Sequence, residues 1–404
     1  MDSGHTAWLL TSSALVLFMT PGLALFYGGM VRARNALAML MNNFVAMGIV
    51  TVTWILIGYT LAFGPSVEGW GLFGGLDYLG LKGVGEGNPI HDAEVPDTVL
   101  MAFQMMFAII TPALISGAVA GRMKFSAWVI FVAVWSVIVY APMAHWVWNP
   151  EGFIGANLEA IDFAGGLVVH INAGAAALAA VLVLGPRIGF RRELLRPHAL
   201  PLTLIGTGIL WFGWFGFNAG SAFAADGAAA NAFVTTQVAA GVAATTWVIV
   251  EWLSAGKPTT LGVASGAVAG LVAITPAAGF VGPMEAIAIG VAAGAICYWA
   301  LRLKFRFNFD DSLDVVAVHL VGGIIGSLLV GVLADVDIGG VAGSVEQLGR
   351  QAAAVGIAIG YSFVVSYVLL RIIKATIGIR VSEEEERQGL DLALHDEQAY
   401  VLSE

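Results

Sequence analysis

The chain of 404 residues holds a single cysteine, Cys297. No intrachain disulfide can form, and cysteine usage leaves the redox compartment open. Cys297 lies in an apolar run, where a packed thiol is the simplest reading. Charge is also scarce: Asp, Glu, Lys and Arg make up 11% of the residues against 58% hydrophobic ones, and mean hydropathy is +0.85. That shortage excludes a soluble domain of ordinary composition and points to the bilayer as solvent. Neither His-Glu-x-x-His nor Gly-x-Ser-x-Gly occurs, so the motif-based routes to an intramembrane hydrolase are missing. No basic segment precedes the first apolar stretch, Ala7 to Tyr27, which is read as a retained first helix rather than a cleaved leader.

What is abundant is apolar sequence in lengths of about 20 residues, the length that spans a bilayer core as a helix. The pattern predicts eleven spans, at 7–29, 37–63, 98–120, 125–147, 163–185, 199–219, 231–254, 259–280, 285–301, 312–333 and 348–373. The fold class is therefore all-α, a polytopic membrane protein. The membrane domain covers 1–380, and a tail follows at 381–404.

Basic residues collect in cytoplasmic loops. Arg32, Arg34, Arg122, Lys124, Arg187, Arg191, Arg192, Arg196, Lys257, Arg302, Lys304, Arg306 and the basic residues from Arg371 onward all fall on one side of this topology. Only Lys82 and Arg350 fall on the other. The first side is then cytoplasmic, with the N-terminus outside and the C-terminus inside the cell (inner or plasma) membrane. The outer loops carry acids instead, among them Glu68, Asp77, Glu86, Asp92, Glu94, Asp97, Glu151 and Glu159.

Phrases recur five helices apart. Phe26-Tyr27-Gly28-Gly29 echoes Phe217-Asn218-Ala219-Gly220, and Ile110-Thr111-Pro112-Ala113 echoes Ile274-Thr275-Pro276-Ala277. Asp162 precedes His170 by eight positions, as Asp311 precedes His319. Two five-helix halves, 7–185 and 199–333, are implied, with the eleventh helix, 348–373, as an addition. Five is odd, so the halves are inverted, an architecture that places a site near the midplane.

An ionisable side chain in hydrocarbon is a functional candidate by default. His170 enters from the outer edge and His319 from the inner one, each by ~11 Å at 1.5 Å per residue. In a core ~30 Å thick they converge on the middle third. Neutral imidazoles offer a donor and an acceptor, and an apolar setting disfavours their charged form. Such a pair can bond small neutral solutes or relay protons; plain helix-to-helix hydrogen bonding is the structural alternative. Haem ligation is disfavoured, because Gly165, Gly166, Ala173, Gly174, Gly322, Gly323 and Gly326 suit close helix packing rather than a roomy slot. Aromatic residues mark the outer ends of the third, fourth and sixth helices: Phe103, Phe107, Trp146, Trp148, Trp214 and Phe217. Trp8, Trp70, Trp128 and Trp252 fit an interfacial belt, whereas Phe107, Trp148 and Phe217 can form a weak cation cage, with the hydroxyl of Ser221 as an added acceptor.

The stretches GGMVRARN at 28–35, DFAGGLVVHINAG at 162–174, WFGFNAGS at 214–221 and DDSLDVVAVH at 310–319 resemble the Amt/Rh ammonium transporters, on the Amt side. The resemblance runs from the first helix into the tail. It implies an ammonium channel in which Phe107, Trp148 and Ser221 recruit the ion from outside, and Phe107 and Phe217 form a phenyl gate below it. It also implies that His170 and His319 line the pore and that Asp162 supports the recruitment site without ligating the ion. Thr275 matches a pore-adjacent threonine near the outer site. The family forms homotrimers with one pore per subunit, and its substrates include ammonia and methylammonium. The resemblance calls for no cofactor, no metal ion, no nucleic acid and no enzymatic activity.

From residue 381 onward eight acids stand against one arginine, a composition that by itself reads as a solvated tail. The stretch RVSEEEERQGLD at 380–391 instead resembles the family's cytoplasmic regulatory segment, which cooperates with PII-type proteins. Ammonium and K+ are alike in size and charge, so size cannot select between them. Removing a proton from NH4+ can, because NH3 crosses an apolar lumen while K+ bears the full desolvation cost. A sensor acting through the tail and an intramembrane enzyme are the competing classes, and flux through vesicles of pure protein separates both from transport.

Overall fold

A computed structural model describes residues 1–85, 94–193 and 195–400. Glu86 and Asp92 of the outer acidic loop, and the last four residues of the tail, lie outside the described residues. The described chain is helical, with isolated bridges but no strands. Among the described residues, ten helices are long and apolar enough to cross a membrane: α1 (Ser3–Met30), α2 (Ala33–Phe63), α3 (Asp97–Val119), α4 (Phe125–Asn157), α5 (Gly166–Leu184), α6 (Leu200–Gly220), α7 (Gly227–Ala255), α9 (Pro283–Arg306), α10 (Val316–Leu333) and α11 (Val345–Thr376). A shorter apolar helix, α8 (Thr260–Ile274), stands between α7 and α9. Side-chain caps set several starts: Asp2 accepts from His5 N at 2.8 Å, Asp226 from Ala229 N at 3.0 Å, Thr259 from Gly262 N at 2.9 Å and Ser344 from Gln347 N at 2.9 Å.

Three helices start or stop inside their expected spans by three residues or more, for local reasons. The eighth span, expected to run to 280, ends at Ile274 and closes in tight turns, with Ala277 N donating to Ile274 O and Phe280 N to Ala277 O, each at 2.8 Å. Pro276 supplies no N–H to continue the helix. The fifth begins at Gly166 rather than 163, because Gly165 sits at φ 122°, a conformation open to glycine and foreign to a helix. The tenth begins at Val316 rather than 312, after Asp314 at φ 64°.

Glycine decides the closest packing. α6 runs antiparallel to α1: Gly216 faces Ser12 and Leu15, Gly213 faces Met19, and Gly206 lies on the backbone of Phe26. α5 and α10 are antiparallel in the same way, with Gly174 against the backbone of Leu320 and Gly323 against His170 and Ile171. A side chain at any of these positions would meet a neighbour, so the small residues permit the approach that holds helices together in lipid.

The tail does not hang in solvent. Its two short helices, α12 (Glu383–Gln388) and α13 (Leu390–His395), lie against the loops of the basic side. Asp391 accepts from Ala38 N at 2.8 Å and Leu37 N at 3.1 Å, Leu390 N donates to Asn35 Oδ1 at 2.9 Å, and Glu386 accepts from Ile188 N at 2.7 Å and pairs with Arg380 at 2.7 Å. Beneath them Arg122 is fully buried, donating to Gly185 O, Ser312 Oγ and Asp310 O. Burial pulls its guanidinium down to about 9. Arg187 pairs with Asp310 at 2.7 Å. Burial alone would raise the Asp310 carboxyl, but its bonds to Arg187 and the charge of Arg122 hold it below its ordinary value.

Candidate functional site: an aromatic vestibule above paired histidines

The ends of α3, α4 and α6 and the turn before α5 enclose a cavity of about 180 Å³ lined by Gln104, Phe107, Val147, Trp148, Phe163, Ser221 and Phe223. Phe107, Trp148 and Ser221 are thus brought together. The rings of Phe107 and Trp148 are perpendicular with centroids 5.7 Å apart. Trp148 Nε1 donates to Asp162 O at 3.1 Å, which leaves the ring's π faces, rather than its donor, to attract a cation. Ser221 Oγ donates to Phe217 O at 2.9 Å and keeps its lone pairs. Trp146 is elsewhere: it donates to Leu72 O at 2.5 Å and packs on Tyr361 with centroids 4.3 Å apart.

Phe107 packs on Phe217, the ring planes tilted by 40° with centroids 4.3 Å apart, and closes the floor of the vestibule. Under it lies a second cavity of about 10 Å³, about the least that admits one water. Its walls are apolar side chains, Leu23, Phe26, Leu114, Leu210 and Val268 among them, and the imidazoles of His170 and His319. No carboxylate, ammonium or guanidinium lines it among the described residues. The two rings lie nearly parallel, with Nδ1 atoms 3.3 Å apart. Both histidines sit in wide π-helical turns, Gly166–Ile171 and Val316–Leu320, a local unwinding that recurs at functional sites.

Trp214 stacks on His170 with centroids 5.4 Å apart. Its Nε1 donates to Thr275 Oγ1 at 2.8 Å, and Thr275 Oγ1 donates to Leu271 O at 2.7 Å. Thr275 therefore stands behind Trp214, away from the vestibule lining, where the broken end of α8 delivers it.

Asp162 is buried, and its carboxylate is fully engaged. Oδ1 accepts from Gly165 N and Gly166 N at 2.8 and 2.6 Å; Oδ2 accepts from Leu167 N and Val168 N at 2.7 and 3.2 Å. These are the N–H groups that the first turn of a helix leaves without partners. The same residue holds Trp148 through its carbonyl, so one aspartate ties the mouth of α5 to the vestibule. Asp311, its counterpart before α10, accepts from Val316 N through Oδ2 at 2.7 Å.

The sequence did not single out Gln104, Phe163 or Phe223. Gln104 had a signal: a carboxamide one turn before Phe107 in an otherwise apolar stretch of α3. Phe163 and Phe223 had none, since only the turns after α4 and α6 place them.

The Ammonium Transporter Family matches residues 7–400 of this chain. An ammonium transporter of Mycobacterium tuberculosis is 50% identical over 434 residues, covering 99% of this chain and 90% of that one. Ammonium transporter Amt1 of Archaeoglobus fulgidus is 46% identical, covering 99% of this chain and 100% of that one. Among solved structures, Saccharomyces cerevisiae Mep2 superposes with a TM-score of 0.89 at 35% identity, covering 95% of this chain and 88% of that one. A protein described as a sensor Amt protein superposes with a TM-score of 0.90 at 30% identity, covering 97% and 98%. The chain belongs to the Ammonium Transporter Family.

Proposed function

We propose that this transporter collects NH4+ in the vestibule between Trp148, Phe107 and Ser221, releases its proton at the Phe107–Phe217 pair, and conducts NH3 past His170 and His319. The observation that carries this reading is the chemistry of the lower cavity. Its walls offer a cation no charge and almost no room, so NH4+ and K+ alike meet a desolvation cost that neutral NH3 escapes. Asp162 serves as a cap, since its four N–H partners occupy both carboxylate oxygens. Thr275 fixes Trp214 and, through it, the ring of His170. The hydrogen bond between the imidazoles favours passage of the proton along the same line as the NH3.

The two halves are read as an inverted repeat, supported by the antiparallel pairing of α1 with α6 and of α5 with α10. The placement of basic residues favours an outer N-terminus and a cytoplasmic C-terminus. A homotrimer with one pore per subunit, and a PII-type partner acting on the underside where α12 and α13 dock, complete the proposal. The test is a reconstituted bilayer with an ammonium gradient, with and without His170→Ala. Current that accompanies uptake and vanishes in the variant supports the relay; uptake that carries no current sinks it. Uptake absent from vesicles of pure protein overturns the whole reading.

A further inference from the structure

Resting on the vestibule reading, we infer that Gln351 of α11 is a positioning residue for ammonium recruitment, its carboxamide fixing the backbone to which Trp148 is tied. Residues 159–162, between α4 and α5, have no regular structure, so no helical ladder orients their peptide planes. Gln351 supplies the missing partners. Its Oε1 accepts from Ile161 N at 2.7 Å and its Nε2 donates to Ile161 O at 2.9 Å, the two-bond grip that paired residues of adjacent strands exchange. Nε2 also donates to Ser327 O of α10 at 3.0 Å. One turn earlier Gln347 Nε2 donates to Glu159 O at 3.0 Å, so α11 holds this stretch twice. Gln351 is fully buried, and a buried carboxamide engaged at both ends keeps one orientation.

The consequence is felt one residue further on. Ile161 N and Ile161 O lie in consecutive peptide planes, and the plane after them is set by Phe163 N, which donates to Pro276 O at 3.1 Å. The carbonyl of that third plane is Asp162 O, the acceptor of Trp148 Nε1 at 3.1 Å. Two of the three planes leading to the Trp148 anchor therefore depend on one side chain, and it comes from the helix beyond the two proposed halves. The carboxylate of Asp162 caps α5; Gln351 acts on its carbonyl. The grip on Ser327 O serves the same end, because Ser327 Oγ lies where a side chain on Gly166 would sit, 2.9 Å from its Cβ position. One carboxamide thus sets both the approach to α5 and the neighbouring turn of α10. The task needs a donor and an acceptor in one plane, which no aliphatic residue offers.

The test uses the full chain in vesicles, with initial ammonium uptake measured over a range of concentrations for Gln351→Met, Trp148→Leu and the double variant. Methionine keeps the length and removes the donors and the acceptor. With Ile161 released, Trp148 loses its fixed place in the vestibule, and the half-saturating concentration of ammonium rises about tenfold, the factor set by one buried hydrogen bond. The saturating rate falls by less. Because Gln351 acts through Trp148, the two substitutions are not additive: in the Trp148→Leu background, Gln351→Met moves the half-saturating concentration by less than about twofold. Gln351→Asn, one methylene shorter, withdraws the carboxamide from Ile161 with less disturbance of packing, and carries the same test should Gln351→Met fail to assemble. The inference is overturned if the Gln351 variants lower the saturating rate without moving the half-saturating concentration, or if their effect on it is the same with and without Trp148. Failure of both variants to assemble overturns it too, by making Gln351 a residue of the fold and not of the site. If Trp148→Leu raises the half-saturating concentration while the Gln351 variants leave it within about twofold, Gln351 alone is misassigned; if Trp148→Leu leaves it unchanged, the vestibule reading itself falls.

Discussion

Replacing Asp162 by asparagine separates a carboxylate that holds the fold from one that holds the ion. In the protein each Asp162 oxygen serves two backbone N–H groups, at 2.8 and 2.6 Å for one and 2.7 and 3.2 Å for the other. Asparagine keeps one oxygen and sets an NH2 against the other pair, so two buried N–H groups lose their acceptor. An unsatisfied buried group costs ~1–3 kcal/mol. The 3.2 Å contact is the weakest of the four, which places the loss near ~2–4 kcal/mol. Asp162→Ala abandons all four N–H groups and is expected to leave little assembled protein. The assay is thermal unfolding of the purified protein, followed by uptake in vesicles. Asp162→Asn should melt at lower temperature and transport at a reduced saturating rate, as the mouth of α5 loosens, with a smaller change in apparent affinity for ammonium. An Asp162→Asn protein as stable as the parent, yet with apparent affinity down tenfold or more, would refute the reasoning and return the carboxylate to the ion.

Three further outcomes are expected. Thr275→Val removes the acceptor that holds Trp214 Nε1 and should cost ~1–2 kcal/mol of stability while lowering flux, since the ring that stacks on His170 loses its anchor; stopped-flow uptake at saturating ammonium checks it. Gly165→Ala forces a side chain into φ 122° and toward Val169 Cγ2, a strain of at least ~1–3 kcal/mol, which a drop in melting temperature would register. The third concerns pH. The Asp310 carboxyl is held below its ordinary value, so its pairing with Arg187 contributes in full above the ordinary carboxylate range and is lost as pH falls through the depressed value. Proteolysis of the tail should accelerate only in that acid range, and Arg187→Gln should move the onset to higher pH.

Most of the scaffold could be read from hydropathy, because a helix in lipid satisfies its own backbone and needs only length and apolarity to declare itself. The start of α8 was legible to within a residue, where Thr259 caps its own helix, whereas α7 starts four residues before its expected 231, at the cap set by Asp226. Boundaries were missed where the chain breaks inside an apolar run, at Thr275 and Gly165, since hydropathy does not register φ. His170 and His319 stood out because an ionisable group in hydrocarbon has few innocent explanations, and the equal spacing from Asp162 and Asp311 linked them. Long-range bonds were hidden. Thr275 finds Trp214 across 61 positions, and Asp391 finds Ala38 across 353. For the same reason the acid-rich tail reads by composition as solvated, although Glu386 and Asp391 are buried against loops far away in sequence.

The 3.3 Å between the two Nδ1 atoms sets a rule of parity. While both imidazoles are neutral, one Nδ1 carries the hydrogen and the other receives it, so the pair has a direction. A proton that enters at the far nitrogen of one ring and leaves from the far nitrogen of the other shifts that shared hydrogen across, and the pair is left pointing the opposite way. It cannot pass a second proton in the same sense until both rings have exchanged tautomers. On the proposed relay, charge movement is counted one ion at a time, and the interval between counts is set by the resetting of the rings as well as by the supply of ammonium.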